Sequence, residues 1–261
     1  MFRKTARNGR VMTLCKTDIE RSFTRAAGTY DASVQFQKQC AEEFCGWLAE
    51  DLVRCPETIL EAGCGTGLLT ERLHTRFPSA RLLATDLSSG MVRFCAERFA
   101  GTPVKFQVHD FDQPFPVTGI DLAAASLSLQ WSRDLRTAFE NISEALRPDG
   151  EFFAAIPLDT SLAGLRELFR QAGTRFRGPA LPSRSFIERS LNGLFRDLSC
   201  ETRHYTETYP DFRALLRSMS RNGTSGGNTG TPVPVLKELI RNHRAPCSAE
   251  YEVVFLKGVR T

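Results

Sequence analysis

The fold of this chain is decided by Ile59-Leu60-Glu61-Ala62-Gly63-Cys64-Gly65-Thr66-Gly67. The segment begins within a short apolar run, Thr58–Glu61, and a helical pattern over Leu68–Phe77 follows it. Glycines in a turn between a strand and a helix adopt unusual backbone dihedral angles. They also let backbone N–H groups approach a ligand without a Cβ in the way. The segment therefore predicts a cofactor-binding turn near the start of an α/β domain.

Short apolar runs and helical patterns alternate after this turn. The runs lie at Arg81–Thr85, Val104–Val108, Ile120–Ser126 and Glu151–Ile156, and the helical patterns at Gly90–Phe99 and Leu135–Leu146. Alternation of this kind predicts a parallel sheet with helices on both faces, which is a doubly wound α/β fold. Arg147-Pro148-Asp149-Gly150 predicts a turn that ends a helix before the next strand.

The pattern changes after Pro157, where helices predominate. We expect helices at Ser161–Gly173, from a Ser183 cap to Gly193, from Asp211 to Arg221 and at Val235–Asn242, strands at Cys200–Thr208 and Tyr251–Val259, and a mobile loop at Asn222–Pro234. The last strand alternates apolar and polar residues, which is typical of an antiparallel strand. The predicted organisation is a loose basic tail (1–21), an N-terminal helical lid (22–57), a cofactor-binding core (58–157), a partly helical substrate and partner segment (158–249) and a final strand (250–261).

Composition excludes several classes of protein. The 261 residues are 41% hydrophobic and 25% charged, as in an ordinary globular protein. No apolar run approaches the ~20 residues of a membrane helix, and the N-terminus carries no signal-peptide pattern. The eight cysteines form no Cys-x-x-Cys pair and the four histidines are scattered, so we predict no metal site. Scattered thiols without an export signal favour the reducing cytoplasm.

Polar side chains end the next three apolar runs, where the strands of a parallel sheet would end. Asp86 ends the second run, and a carboxylate there accepts hydrogen bonds from ribose hydroxyls, also in dinucleotide-binding proteins. Asp110 follows the third run, and an aspartate there can accept a hydrogen bond from an adenine amino group. Its apolar neighbour Phe111 can cover the adenine ring. Ser126 ends the fourth run.

The Glu-x-Gly-x-Gly-x-Gly spacing and these strand ends together resemble the ordered motifs of class I methyltransferases over Thr58–Pro157, more than they resemble a dinucleotide fingerprint. The resemblance implies a seven-stranded sheet and S-adenosylmethionine as the cofactor, with its methionine end near the tip of the fourth strand. The predicted cofactor contacts are Glu61, Gly63, Cys64, Gly65, Gly67, Asp86, Leu87, Asp110, Phe111 and Ser126.

The segments that flank this core resemble a narrower family. They are Ser22-Phe23-Thr24-Arg25-Ala26-Ala27-Gly28-Thr29-Tyr30-Asp31, Gln37, Leu129-Gln130-Trp131, Ser190-Leu191-Asn192-Gly193 and Leu216-Arg217-Ser218-Met219. As a set they resemble the malonyl-acyl-carrier-protein O-methyltransferases of biotin synthesis, from about Ser22 to the C-terminus. The resemblance implies methylation of the free carboxyl of a malonyl thioester on acyl carrier protein. The chain departs from the family at Ser220, where a lysine is usual, and in the Gly-rich stretch Thr224–Thr231.

The resemblance also suggests which residues hold the substrate. A malonyl carboxyl with a pKa near ~4 is ionised at pH 7, so it needs orientation and a cation and no general base. Arg217 is the candidate cation, because the guanidinium fork matches a carboxylate. Tyr30 is a candidate lid residue, and Gln37, Gln130 and Trp131 are candidates for the substrate pocket.

Positive charge is concentrated late in the chain. The net charge is +4, but Pro157–Ala249 carries 14 basic and 8 acidic residues, a net of +6. Such asymmetry favours an anionic partner, and an acidic carrier protein would meet this need. The predicted docking residues are Arg175, Arg177, Arg184, Arg189 and Arg196. Two alternatives stay open at this point: a methyltransferase of another small molecule, such as a free polycarboxylate or a quinone, and a cofactor-binding protein without catalysis.

Overall fold

The computed structural model describes residues 16–26, 34–176, 180–221 and 231–261. In these ranges the strands are β1 (Thr58–Ala62), β2 (Arg81–Asp86), β3 (Lys105–Val108), β4 (Ile120–Ser126), β5 (Leu146–Pro157), β6 (Phe195–Tyr209) and β7 (Cys247–Arg260). The helices are α1 (Lys16–Ala26), α2 (Gln35–Asp51), α3 (Leu68–Arg76), α4 (Ser89–Arg98), α5 (Leu135–Ala145), α6 (Ala163–Gln171), α7 (Arg184–Leu191), α8 (Phe212–Arg221) and α9 (Val233–Asn242).

The seven strands form one sheet in the order β3-β2-β1-β4-β5-β7-β6. Strand β7 runs antiparallel to both of its neighbours, and the other described pairs are parallel. The strand order reverses between β1 and β4, and ligands of open α/β sheets bind in the crevice at the carboxyl ends of the strands there. The predicted doubly wound α/β fold is confirmed.

Helices cover both faces of the sheet because its central strands are apolar on both sides. Successive residues of β5 point to opposite faces. Phe153 packs into a core with side chains of α2, α3, α6, α8 and α9. Phe152 packs into the other core with α5 and α7. Two predicted helix starts are confirmed: the Ser183 hydroxyl accepts from the Phe186 amide (3.2 Å), and the Asp211 carboxylate accepts from the Ala214 amide (2.7 Å).

The N-terminal boundary was predicted wrongly. Helix α1 begins at Lys16, so residues 16–21 are helical and do not belong to a loose tail. Helix α9 likewise begins at Val233, two residues before its predicted start. Residues 222–230 of the expected mobile loop lie outside the described ranges. Within those ranges no helix has both the length and the apolar character needed to cross a membrane.

The predicted turn at Arg147–Gly150 is instead an irregularity inside β5. Ile120 pairs with Leu146 and Leu122 pairs with Glu151, so the intervening residues bulge out of register. Asp149 has a positive φ of 58° there. The Arg147 guanidinium donates to Asp121 at 2.6 Å, which ties the bulge to β4. A contact with a distant strand fixes this conformation, and the local sequence does not show it.

Candidate active site

The glycine-rich turn is anchored to β2 and leaves no room for a side chain at its first glycine. The amides of Gly63 and Cys64 both donate to the Thr85 carbonyl at 2.8 Å. Gly63 has a φ of 85°, and a Cβ on it would lie 2.3 Å from the Ser128 Cβ. Ser128 is itself held by a 2.6 Å hydrogen bond from its hydroxyl to the Ala62 carbonyl. Glycine is therefore required here by backbone conformation and by space.

Asp86 connects this turn to the start of α4. One carboxylate oxygen accepts from the Gly65 amide at 2.9 Å, and the other accepts from the Ser88 amide at 2.8 Å. Burial raises the pKa of Asp86, and these two hydrogen bonds partly oppose the rise. A carboxylate has about four acceptor positions, so Asp86 keeps capacity for two ligand hydroxyls.

Glu61 is a buried acid at the base of the cleft. Only 1% of the residue is exposed, and the Thr70 hydroxyl donates to its carboxylate at 2.6 Å. Burial raises the pKa of Glu61 to about 8, while the hydrogen bond from Thr70 lowers it and the nearby Asp86 raises it further. A cation bound in the cleft would stabilise the ionised form of Glu61.

A cleft that is partly open to solvent lies at the carboxyl edge of the sheet. Ten of the predicted site residues line it together: Glu61, Gly63, Cys64, Gly65, Asp86, Leu87, Phe111, Ser126, Gln37 and Trp131. Gly67 lies behind the cleft as the residue before α3, with its α-carbon against the Phe99 ring. Asp110 and Gln130 lie beside the cleft.

Two glutamine side chains near the cleft keep a free acceptor. The Oε1 atoms of Gln37 and Gln130 are buried and have no hydrogen-bond partner in the described structure. Gln130 uses its amide nitrogen to donate to the Leu127 carbonyl at 2.7 Å. Buried polar atoms are nearly always bonded, so an orphaned acceptor that lines a cleft indicates a ligand donor. Gln37 lines the cleft and meets this condition.

Helix α1 covers the cleft, and its first six residues were expected to belong to the loose tail. Lys16, Ile19, Glu20 and Phe23 line the cleft from this side. The Lys16 ammonium bonds Asp110 at 2.7 Å and Asp112 at 2.8 Å, and lies 4.8 Å from the centre of the Phe111 ring. Ile19 and Phe23 are four residues apart, a helical spacing that was available in the sequence.

Two further contacts hold α1 in place. The Phe23 ring meets Trp131 edge-on, with the centroids 5.4 Å apart, and the Thr24 and Ser88 hydroxyls are 2.8 Å apart.

Burial raises the pKa of Asp112, but hydrogen bonds from Lys16, Ser132 and the Arg133 amide outweigh this effect and leave that pKa below its usual range. The carboxylates that bind Lys16 therefore include one that is strongly held in its ionised form.

The Cys64 thiol is not a candidate nucleophile or base. A hydrogen bond with the Cys95 thiol and burial both raise the pKa of Cys64 well above its ordinary value. Cys64 and Cys95 also lie within 3.8 Å and 3.1 Å of the Gly65 carbonyl oxygen. Both thiols help to fix the turn, and the Cys64 thiol stays protonated at neutral pH.

The predicted substrate cation does not line the cleft. Arg217 is exposed on α8 and is not among the described lining residues. Tyr30 lies outside the described ranges, and so does Arg177.

The five docking arginines were expected to share one surface, and the structure separates the four that it describes. Arg175 follows α6, which packs on one face of the sheet, whereas Arg184 and Arg189 lie on α7 on the opposite face. Arg196 lies near the start of β6, at the sheet edge opposite the cleft, and is paired with Asp149 and Asp197. Arg184 is paired with Glu188 at 2.9 Å. A count of charges along the sequence does not reveal which face of the sheet each one occupies.

The chain is similar to known proteins over most of its length. A methyltransferase domain model matches residues 59–150. A malonyl-acyl-carrier-protein O-methyltransferase of Dechloromonas aromatica is 35% identical over 214 residues, which cover 80% of this chain and 78% of that protein. The chain belongs to the malonyl-acyl-carrier-protein O-methyltransferase family.

Two further matches extend this finding. A family member from Hahella chejuensis is 35% identical over 153 residues, which cover 58% of this chain and 54% of that protein, so the chain spans about half the length of that relative. An N-methyltransferase of Bradyrhizobium japonicum, solved with S-adenosylhomocysteine, superimposes with a TM-score of 0.58 over 93% of this chain and 98% of its own. At 14% identity this likeness shows the shared fold alone.

The domain match and the family membership show the activity class. The protein is a methyltransferase that depends on S-adenosylmethionine.

The cleft of this family member fits that cofactor. The turn provides the close backbone approach that a nucleotide needs, and the orphaned Gln37 acceptor faces the same space. Acidic side chains line the cleft, which suits a ligand with a sulfonium and an ammonium group. We predict that Asp86 holds the ribose, that Asp110 and Phe111 hold the adenine, and that Glu61 and Ser126 lie toward the methionine end.

Lys16 offers a direct test of the role of α1 in cofactor binding. We expect Lys16→Met to weaken the binding of S-adenosylmethionine about tenfold, which corresponds to about 1.4 kcal/mol. Loss of hydrogen bonds to a charged group has this magnitude, and methionine keeps most of the aliphatic length. Isothermal titration of the purified variant with the cofactor measures the change. The control is Arg21→Met on the exposed side of the same helix. Equal affinities of the two variants would contradict a role for Lys16.

Proposed function

We propose that this enzyme transfers the methyl group of S-adenosylmethionine to the free carboxyl of a malonyl thioester on acyl carrier protein. The product is the malonyl-carrier methyl ester that starts the pimeloyl chain of biotin. Masking the carboxylate as an ester gives the acyl group a neutral end, which fatty-acid elongation can extend.

The observation that carries this proposal is the extent of the similarity to named relatives. The Dechloromonas aromatica match covers 214 residues, more than twice the span of the generic methyltransferase domain at residues 59–150. Part of the similarity therefore lies outside the cofactor-binding core. Methyltransferases of many substrates share that core, so similarity in the flanking segments supports a shared substrate.

The chemistry of the cleft is consistent with a carboxylate acceptor. Neither histidine nor tyrosine is among the described residues that line it, and the Cys64 thiol is held protonated. A carboxylate needs no base, because it is already ionised at pH 7. Bound S-adenosylmethionine would supply an electrophilic methyl group and would retain the electron pair of the carbon–sulfur bond. The ionised carboxylate could accept that methyl group without transfer of a proton.

The side chains of this protein then have to bind the two ligands, orient the carboxylate toward the methyl group and remove water from around it. Phe23 and Trp131 meet edge-on in the lining of the cleft and provide an apolar cover for a bound ligand. The Gln37 amide lies in the same cleft and can orient a polar group of either ligand. Lys16 is the one cation in the described lining, and two carboxylates already bind it. Arg217 therefore stays our candidate for the substrate carboxylate, and Tyr30 our candidate lid residue.

The test is transfer of a labelled methyl group to malonyl-carrier protein, with malonyl-coenzyme A and free malonate in parallel. We expect labelled carrier protein whose label is released by mild base, as from an ester. Asp86→Ala serves as the inactive control, because it removes the acceptor for the ribose and for the Gly65 amide. Labelling of free malonate in place of the thioesters would favour the alternative of a free polycarboxylate. Cofactor binding without labelling of any malonyl compound would refute the proposed substrate.

A further inference from the structure

Helix α8 presents a row of arginines to solvent. Arg213, Arg217 and Arg221 follow one another at intervals of four residues and are exposed. Residues four apart lie one above the other on the same side of a helix. The opposite side of α8 packs into the core through the buried Phe212 and Met219. The row is therefore fixed in direction by the packing beneath it.

Helix α9 and the residues after it add three more cations beside this row. Lys237 and Arg241 are also four residues apart, Arg244 follows, and all three are exposed. The end of α9 touches the start of α8, since the Phe212 amide donates to the His243 carbonyl at 3.3 Å. We call the six residues Arg213, Arg217, Arg221, Lys237, Arg241 and Arg244 the basic surface. Glu238 is the exposed acid of α9, and Asp211 is occupied in capping α8.

The cations of the basic surface are not neutralised by neighbours. In the residues that the structure describes, none of the six takes part in an ion pair, whereas several arginines elsewhere do, as in Arg98–Glu71, Arg147–Asp121 and Arg196–Asp149. Repulsion among like charges disfavours such a cluster unless a partner uses it. Unpaired cations on two packed helices are therefore available to an anionic surface.

The basic surface lies at the same edge of the sheet as the cleft. Strand β6 is parallel to β5, because both are antiparallel to β7, so Tyr209 at its end lies at the carboxyl edge. The Tyr209 hydroxyl is 3.4 Å from the Ser218 hydroxyl on α8. Glu207, two residues earlier, accepts from the Phe36 amide at 2.9 Å, and the next residue, Gln37, lines the cleft. A short chain of contacts thus joins α8 to the lining of the cleft.

We propose that the basic surface docks the acidic face of the carrier protein and so brings its acyl arm to the cleft. This inference rests on the proposed function, since the partner follows from it. Charge complementarity raises the association rate of two proteins and fixes the orientation in which they bind. A carrier protein needs a fixed orientation so that its acyl arm points into the cleft. The proposal replaces the docking surface expected from the sequence, because its four described arginines do not share a face.

The experiment compares two variants of equal charge. One carries Arg213→Gln, Arg221→Gln, Lys237→Gln and Arg241→Gln, and Arg217 is left in place because it is a candidate substrate contact. The control carries Arg54→Gln, Arg81→Gln, Arg93→Gln and Lys105→Gln at exposed positions outside the basic surface. Methyl transfer is measured with malonyl-carrier protein and with malonyl-pantetheine, which has the same thioester and no protein. Circular dichroism checks that both variants are folded.

We expect kcat/KM for malonyl-carrier protein to fall about tenfold or more in the first variant at low salt, and the difference to shrink at high salt. The rate with malonyl-pantetheine should be unchanged, and the control should behave like the wild type with both substrates. Equal carrier-protein kinetics in all three proteins would overturn the docking proposal and leave the proposed function intact.

Binding of fluorescent carrier protein, read by anisotropy, separates the two proposals if no malonyl thioester is methylated. Carrier binding that is lost only in the first variant would support docking although the proposed substrate had failed. No binding to the wild type would overturn the docking proposal as well. Loss of affinity for single-stranded nucleic acid without any change toward the carrier protein would also overturn it, since the basic surface would then serve another class of partner.

Discussion

Gly63→Ala is expected to lower the free energy of unfolding by about 2–5 kcal/mol and to abolish measurable cofactor binding. The left-handed backbone costs about 1–2 kcal/mol for a residue with a Cβ, and overpacking costs about 1–3 kcal/mol more. The added Cβ would lie 2.3 Å from the Ser128 Cβ, so the turn or β4 must shift. Urea unfolding measures the stability, and isothermal titration with S-adenosylmethionine measures the binding.

Gly101→Ala is the matched control for this substitution. Gly101 has a φ of 86°, close to the 85° of Gly63, but a Cβ there would meet nothing within 4 Å. The control should therefore lose only the backbone contribution, about 1–2 kcal/mol, and should bind the cofactor normally. Equal losses in the two variants would mean that the close approach to Ser128 has no energetic importance.

Glu61→Gln is expected to weaken cofactor binding about thirtyfold at pH 8.5, which is about 2 kcal/mol. Its pKa of about 8 makes the wild-type carboxyl mostly neutral at pH 7, whereas a cationic ligand favours the ionised form. Wild-type affinity should consequently rise with pH up to about 8 and then level off. The affinity of the variant should lack this rise. Titrations between pH 6 and 8.5 measure both curves.

The same acid gives a stability signature in the absence of cofactor. The folded state holds its Glu61 proton up to about pH 8, whereas the unfolded chain releases it near the ordinary value of 4.5. The folded state therefore binds more protons between these values. The free energy of unfolding should fall as pH rises through this window, by at most about 1.4 kcal/mol per pH unit for one group.

Two variants isolate this signature. Glu61→Gln should lack the decline between pH 4.5 and 8, because glutamine does not titrate. Glu97→Gln, on the exposed side of α4, reports the effect of removing one surface carboxylate. Parallel pH profiles for the wild type and the Glu61 variant would show that Glu61 titrates normally in the folded protein.

The parts of the fold that follow from local chemistry were predictable from the sequence. The turn at Gly63, the acid that ends β2 and the helix cap at Ser183 depend on residue types at fixed spacing, and the structure places each where it was expected. The cleft lining was also largely foreseen, because parallel strands bring their carboxyl ends to one edge. The roles of these residues toward the cofactor stay predictions.

What the sequence did not reveal depends on distant partners. Lys16 was assigned to a loose basic tail, because its partners Asp110 and Asp112 are more than 90 residues away. The bulge in β5 is held by Asp121 on another strand. Charge counting found the basic late segment but chose arginines on both faces of the sheet. The arginines of α8 differ from several other arginines in having no ion-pair partner, and ion pairs between distant residues cannot be read from the sequence.

The position of β7 has a consequence for the synthesis of this protein. Among the described strands β7 leaves the ribosome last, yet it lies between β5 and β6 and pairs with both along their length. Until it emerges, β6 has no neighbour in the sheet, and the apolar edge of β5 stays open. The free backbone groups of an unpaired strand edge can form hydrogen bonds with another chain, which leads to aggregation. The nascent chain therefore passes through a stage in which the edges of β5 and β6 are unpaired. It avoids aggregation in that stage only if chaperones cover these edges or if β7 pairs with them quickly.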